Sequence, residues 1–124
     1  MDNTLLAEHV EAMADLIEKC GHVTGRPGDE KSGFCLLGAG RVVRGVLAEQ
    51  QNGLPAYVQF AWGAAKYVAD EITTKALGLA DYIEVWHLND TGNPEGIIFG
   101  SRPLNKNTAL ELLDARAKEL RNNG

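Results

Sequence analysis

The sequence is poor in the features that mark most functional classes. It has two cysteines in 124 residues, few aromatic residues at 6%, and more acidic than basic side chains, 17 against 12, for a formal charge of −5. Two cysteines cannot build the disulfide framework on which small secreted domains rely. Met1-Asp2-Asn3-Thr4 is not a basic start followed by an apolar run, and no apolar stretch approaches the roughly 18 residues of a membrane span. These absences read as a cytoplasmic chain, with Cys20 and Cys35 as free thiols. The negative charge leaves no field to attract a phosphate backbone, which excludes non-specific nucleic-acid binding. Gly25 to Gly33 holds several glycines but not the G-x-x-x-x-G-K-[ST] order, and no strand-like segment precedes it. No dinucleotide fingerprint is present either, and no cofactor is expected.

What remains is an ordinary globular composition, 44% hydrophobic and 23% charged, at the size of one domain over residues 1–124. The pattern predicts a mainly α fold of about four principal helices, with one small β-hairpin near residues 82–99. Leu6, Val10, Met13, Ile17 and Cys20 alternate gaps of four and three, placing a first helix at about 4–18 with an apolar stripe and His9 in its solvated part. A second helix is expected from about Phe34 to Gln50, with Phe34, Leu37, Val42, Val46 and Leu47 as apolar contacts. Gly38, Gly40 and Gly45 fall inside it, each costing about 1 kcal/mol against alanine; close approach of a neighbouring helix, or room for a ligand, would account for them. Arg41 and Arg44 read as a solvated face. Asn52-Gly53 closes this helix, and Pro55 opens a third with Val58, Trp62, Ala65, Val68 and Ile72 facing the core. In 82–90 the alternation of Ile83, Val85 and His87 with Glu84, Trp86 and Leu88 favours a strand, with Ile97-Ile98-Phe99 returning beside it. The last helix is marked by a Thr108/Glu111 capping box and by Leu110, Leu113, Ala117 and Leu120 on one face.

Chemistry has few places to reside. Cys35 stands at the start of the second helix, where unpaired amides and the helix dipole favour a thiolate, and His87 with Asn89 or Asp90 could supply a base and its orienting group. The catalytic candidates are therefore Cys35, His87 and Asp90. Burial of Cys35 among Phe34, Leu36 and Leu37 is the competing expectation. Cys20, His22, Cys35 and His87 are the residue types of a zinc site, but only one close pair occurs where structural sites bring two, so no metal is expected. Trp86, Asn89 and Asp90 form the most suggestive polar cluster, able to end an apolar segment by side-chain-to-backbone bonds or to line a cleft.

Three segments in order, Gly33-Phe34-Cys35-Leu36-Leu37-Gly38-Ala39, then Asn89-Asp90, then Thr108 leading into Leu112-Leu113-Asp114-Ala115-Arg116-Ala117, resemble a family of small uncharacterised actinobacterial and actinobacteriophage proteins. That family carries an aromatic-Cys-x-x-Gly-Ala segment, a Trp-Asn-Asp segment and a final T-x-x-E-x-x-x-L-L-D-x-A helix. Here Trp86 is separated from Asn89-Asp90 by His87-Leu88. The resemblance implies a phage or actinobacterial cytoplasm, and it implies that Cys35, Asn89 and Asp90 meet in space. It implies no reaction. The sequence thus points to a small accessory protein that binds a host or self protein through Cys35, Trp86, Asn89 and Asp90, with no membrane role. The alternative is a cysteine-dependent hydrolase using Cys35.

Overall fold

The computed structural model describes residues 2–46 and 55–123. Leu47 to Gln50, Asn52-Gly53 and the side chain of Val58, to which the sequence assigned roles, lie outside the described residues. The fold is mainly helical with one small antiparallel hairpin.

Helix α1 (Asn3–Cys20) starts where the Asp2 carboxylate accepts the Leu5 N–H and stops at Gly21. Its stripe of Leu6, Val10, Met13 and Ile17 is buried. A short loop leads to strands β1 (Gly28–Asp29) and β2 (Gly33–Phe34), paired Gly28 with Phe34 and Asp29 with Gly33. The turn between them is closed by Asp29 Oδ1, which accepts from the Lys31 and Ser32 amides and the Ser32 hydroxyl. Helix α2 (Leu36–Val43) follows at once, then α3 (Ala56–Ala76), α4 (Tyr82–Thr91) and α5 (Lys106–Asn122). Helix α1 is the central element, lying along α5 and touching α2 and α3. One buried cluster draws on all five helices.

The hairpin therefore lies at 28–34 and not near 82–99. Residues 82–91 are helical because Asp81 caps them, accepting the Glu84 N–H at 3.0 Å, while Glu84 reaches back to the Ala80 N–H. Val85, Leu88 and Asn89 then fall on one buried stripe at helical spacing. Ile83, which a strand would have paired with Val85 on one face, is half exposed. Ile97-Ile98-Phe99 forms no strand and stands in solvent.

Three other expectations change in register. The buried face of α3 is Ala69, Thr73 and Ala76, with Asp70 and Thr74 beside it, whereas Ala65 and Val68 are exposed. Helix α5 begins earlier than Thr108: Asn105 is the cap, and Asn105 and Thr108 bond each other's backbone amides. Its buried face is Ala109, Leu113, Ala117 and Leu120. Helix α2 ends at Val43, so Gly45 lies beyond it.

Close packing accounts for the two glycines inside α2. A Cβ at Gly38 would run into the Pro27 carbonyl, and one at Gly40 into the Thr73 side chain of α3. The α2–α3 contact is also pinned by Arg41, which leaves the expected solvated face to donate two bonds to Asp70, at 2.8 and 2.9 Å. At the far end of α3, Arg116 of α5 donates to the Ala76 carbonyl and so satisfies one of the last acceptors of the helix.

His9 is fully enclosed between α1 and α3, not solvated. Its Nε2 lies 2.9 Å from the Thr73 hydroxyl, which donates its own hydrogen to the Ala69 carbonyl. The hydroxyl can then only accept, so His9 carries its proton on Nε2. Among the described residues its buried Nδ1 has no partner. Adding a proton there would place a charge in the core without an acceptor, and Arg44 would repel it. Burial first, and Arg44 second, push the pKa down to about 4.

The consequence for stability comes from proton uptake. The unfolded chain protonates His9 near pH 6.5, the folded chain only near 4, so between these values unfolding takes up a proton. Stability should be complete above pH 6.5, decline as pH falls toward 4, and lose on the order of 3 kcal/mol over that window from this group. Denaturant titrations across pH 4–7 check this. His9→Gln should remove most of the slope, and an unchanged slope in that variant would assign the acid sensitivity elsewhere.

Candidate functional site

The loop before α2, the first turn of α2 and the end of α4 meet at Asn89. The short strand pairing fixes the loop: Val23 N–H donates to the Phe34 carbonyl, Phe34 N–H to Gly21, and Cys35 N–H to Pro27. This brings the residues after α1 alongside the start of α2, and α4 closes over both.

Asn89 is completely buried and every polar group on its side chain is used. Its Oδ1 accepts the Leu36 N–H at 3.0 Å and lies 2.7 Å from His22 Nε2. Its Nδ2 donates to the Val23 carbonyl at 3.1 Å and to Asp90 Oδ1 at 2.9 Å. The amide orientation is fixed by these partners, since the reverse would face NH2 against an N–H donor. The same logic places the His22 proton on Nε2. Asp90 Oδ1 also accepts the Gly25 N–H at 3.0 Å. Two adjacent side chains at the end of α4 thus satisfy backbone groups at three points of the 22–36 segment.

Cys35 is the cap of α2. Its Sγ accepts the Gly38 N–H at 3.2 Å, and its side chain is completely enclosed. Burial pushes the thiol up to about 11, although the Gly38 and Leu37 amides and Arg41 pull the other way. The first amides of α2 are therefore already committed, Leu36 to Asn89 and Gly38 to Cys35. A thiol in this setting stays protonated at neutral pH and has no route to solvent.

Of the candidates named from sequence, Cys35, Asn89 and Asp90 share one site, joined through the first turn of α2. His87 does not join them; its ring lies toward Gly96 on the other flank of α4. Trp86 packs half-buried against the core. The histidine at the site is His22, which the sequence offered only as a zinc donor. Among the described residues no group of three or more His, Cys, Asp or Glu side chains is placed to hold a metal. Both cysteines are free.

A different feature carried no signal in the sequence beyond its assignment to a strand. The segment after α4 forms a loop in which Ile97 is 87% exposed, Ile98 54% and Phe99 104%. Gly96 and Gly100 bracket it, both at positive φ that other residues rarely adopt. The loop is tied down rather than loose. Thr91 Oγ1 is 3.1 Å from the Gly96 carbonyl, Gly96 N–H donates to Asn93, and Ser101 and Ile98 exchange bonds at 2.8 and 3.2 Å. Leu104 N–H then returns to the Asn89 carbonyl, so the loop is anchored on the same residue that organises the buried site.

The chain belongs to a family of unknown function, DUF6197, whose model matches residues 1–95. The match spans α1 to α4 and includes Cys35, Asn89 and Asp90; it ends before the 97–99 loop and before α5, so the Thr108 to Ala117 segment lies outside it. No curated protein and no solved structure matches the chain.

Two outcomes test the structural role of this site. Asn89→Ala strips partners from the Leu36 N–H, the Val23 carbonyl and His22, and should cost about 3–5 kcal/mol in urea unfolding; a loss under 1 kcal/mol would show that water or a rearranged loop replaces it. Iodoacetamide at pH 7.5 should modify the half-buried Cys20 and leave Cys35 intact until denaturant unfolds the chain. Rapid native labelling of Cys35 would mean that the pocket opens and the thiol ionises.

Proposed function

We propose that residues 1–124 act as one globular accessory domain that works by protein contact, presenting Ile97, Ile98 and Phe99 to an apolar pocket of its partner. The observation that carries this reading is the exposure of three consecutive large apolar side chains on a loop held by its own hydrogen bonds. Isolated exposed apolar residues are ordinary, but a contiguous cluster on a preorganised loop is the form that binding anchors take. Holding the loop in place lowers the ordering cost of association. The buried Cys35–Asn89–Asp90 arrangement fits a scaffold role in this reading: it fixes the end of α4 from which the loop departs. No helix among the described residues is long and apolar enough to cross a membrane. The resemblance of the short motifs favours a cytoplasmic setting in actinobacteria or in cells infected by their phages. The hydrolase alternative has no comparable support, because the thiol is enclosed and pushed up, and the histidine at the site, His22, is committed to Asn89.

The test is a pair of variants, Ile97→Asp and Phe99→Asp, used with wild-type protein to capture partners from host lysate. Both variants should keep the wild-type unfolding midpoint and lose at least tenfold in recovery of any specifically captured protein. Equal recovery by the variants would remove the loop from the binding surface.

A further inference from the structure

The loop that presents Ile97, Ile98 and Phe99 consists of two turns joined by Ile97. The first closes where Gly96 N–H donates to the Asn93 carbonyl at 3.1 Å, the second where Ser101 N–H donates to the Ile98 carbonyl at 2.8 Å. Below them the chain leaving α4 meets the chain returning toward α5. Leu104 N–H donates to the Asn89 carbonyl at 3.0 Å. Gly92, which ends α4 in the left-handed conformation at φ 77°, passes so near Arg102 that a Cβ on it would collide with the Arg102 carbonyl oxygen. We propose that this neck sets the presented shape of the loop, and that Gly92 is the positioning residue for the surface formed by Ile97, Ile98 and Phe99. This rests on the proposed binding role of the loop and adds what controls it.

Residues 92–102 have the length and the meeting ends of an Ω-loop, a form ordinarily packed by its own side chains. Here the three large apolar side chains stand in solvent and cannot supply that packing. A single turn bond offsets little of the conformational freedom that its residues give up. The first turn has help from α4: Thr91 Oγ1 accepts the Asn93 N–H at 3.2 Å and lies 3.1 Å from the Asn93 and Gly96 carbonyls. The second turn does not. Among the described residues no hydrogen bond ties 98–101 to the rest of the molecule, because the Ser101 hydroxyl is spent on the Ile98 N–H within the same turn. It reaches the fold only along the chain, through Ile97 on one side and Arg102 on the other. The place of Phe99 therefore follows Arg102, and Arg102 lies where it does because position 92 has no side chain.

A matched pair of substitutions separates the close approach from the backbone angle. Asparagine tolerates positive φ better than other side chains. Gly92→Asn keeps the left-handed conformation accessible but drives a Cβ into the Arg102 carbonyl, whereas at Gly100, φ 86°, a Cβ would meet nothing within 4 Å. Thr91→Val is the third variant. It removes the hydroxyl that holds the first turn and leaves the neck intact.

Backbone nitrogen relaxation reads the result on the protein alone. Order parameters over 97–101 should be near the rigid value of about 0.85 in the wild type, in Gly100→Asn and, over 98–101, in Thr91→Val. In Gly92→Asn they should fall below about 0.6 while those of α1 stay unchanged. A mobile wild-type loop would overturn the proposal, as would an ordered loop in Gly92→Asn. If Gly92→Asn does not fold, Thr91→Val still decides: loss of order over 98–101 there would show that the hydroxyl, not the neck, sets the loop. Any partner captured by the wild type should be recovered at least tenfold less well by Gly92→Asn, whose three apolar side chains are intact. Full recovery by a disordered loop would end the positioning role. Equal capture by Phe99→Asp would instead remove the binding reading and leave the order parameters to judge the neck.

Discussion

The structure depends on one enclosed carboxamide. An asparagine buried in a small core costs several kcal/mol of desolvation unless its donors and acceptors are all matched, and Asn89 matches them with His22-Val23, with Leu36 and with its neighbour Asp90. It holds the first amide of α2, the Val23 carbonyl and the His22 ring in one place, while its own backbone carbonyl receives Leu104. The 22–35 segment has a two-residue strand pair, the Asp29 turn and a few single backbone bonds of its own, too little to hold a fixed shape in water without a packed neighbour. Asn89 and Asp90 of α4 hold that conformation in place.

This arrangement explains why Cys35 and Asp90, which resemble catalytic components in sequence, read as structural in space. Cys35 caps a helix whose next amide is already taken, and Asp90 accepts from Asn89 and Gly25. Cys35 and Asp90 are each spent on a backbone amide, and His22 on the Asn89 side chain. A site of this kind stores no free donor for a ligand, but it transmits rigidity to the segment beyond α4. The exposed loop inherits that rigidity.

The legibility of the sequence varied with the contrast between faces. Helix α1 could be read because four of its buried residues are large and apolar at gaps of four and three. The end of α5 was equally clear, although its cap sits three residues earlier than the Thr108 signal placed it. Helix α3 buries alanines and threonines while exposing Val68 and Tyr67, so hydrophobicity pointed to a face displaced by one residue or more. Helix α4 has only ten residues, and the third member of its buried stripe is Asn89 itself; a polar residue on a core face defeats a count of apolar positions. The clue was nevertheless present for His9, which lies three residues after Leu6 and four before Met13 and so shares their face. Its residue type was weighed above its position. The pairing of His22 with Asn89, 67 residues apart, left no trace in spacing. The convergence of Cys35 with Asn89-Asp90 came from a resemblance between short motifs and not from periodicity.

The central claim is that the 22–36 segment has no independent stability and opens only when α4 is released. Native-state amide exchange measures this directly at Leu36, whose N–H is held by the Asn89 side chain and by no backbone carbonyl of its own helix. The account predicts that Leu36 exchanges with the same free energy as the buried amides of α1, and that this free energy tracks the global unfolding free energy as denaturant is added. Exchange at Leu36 several kcal/mol easier than in α1, and independent of denaturant, would show that the segment opens by itself and that Asn89 is not what holds it.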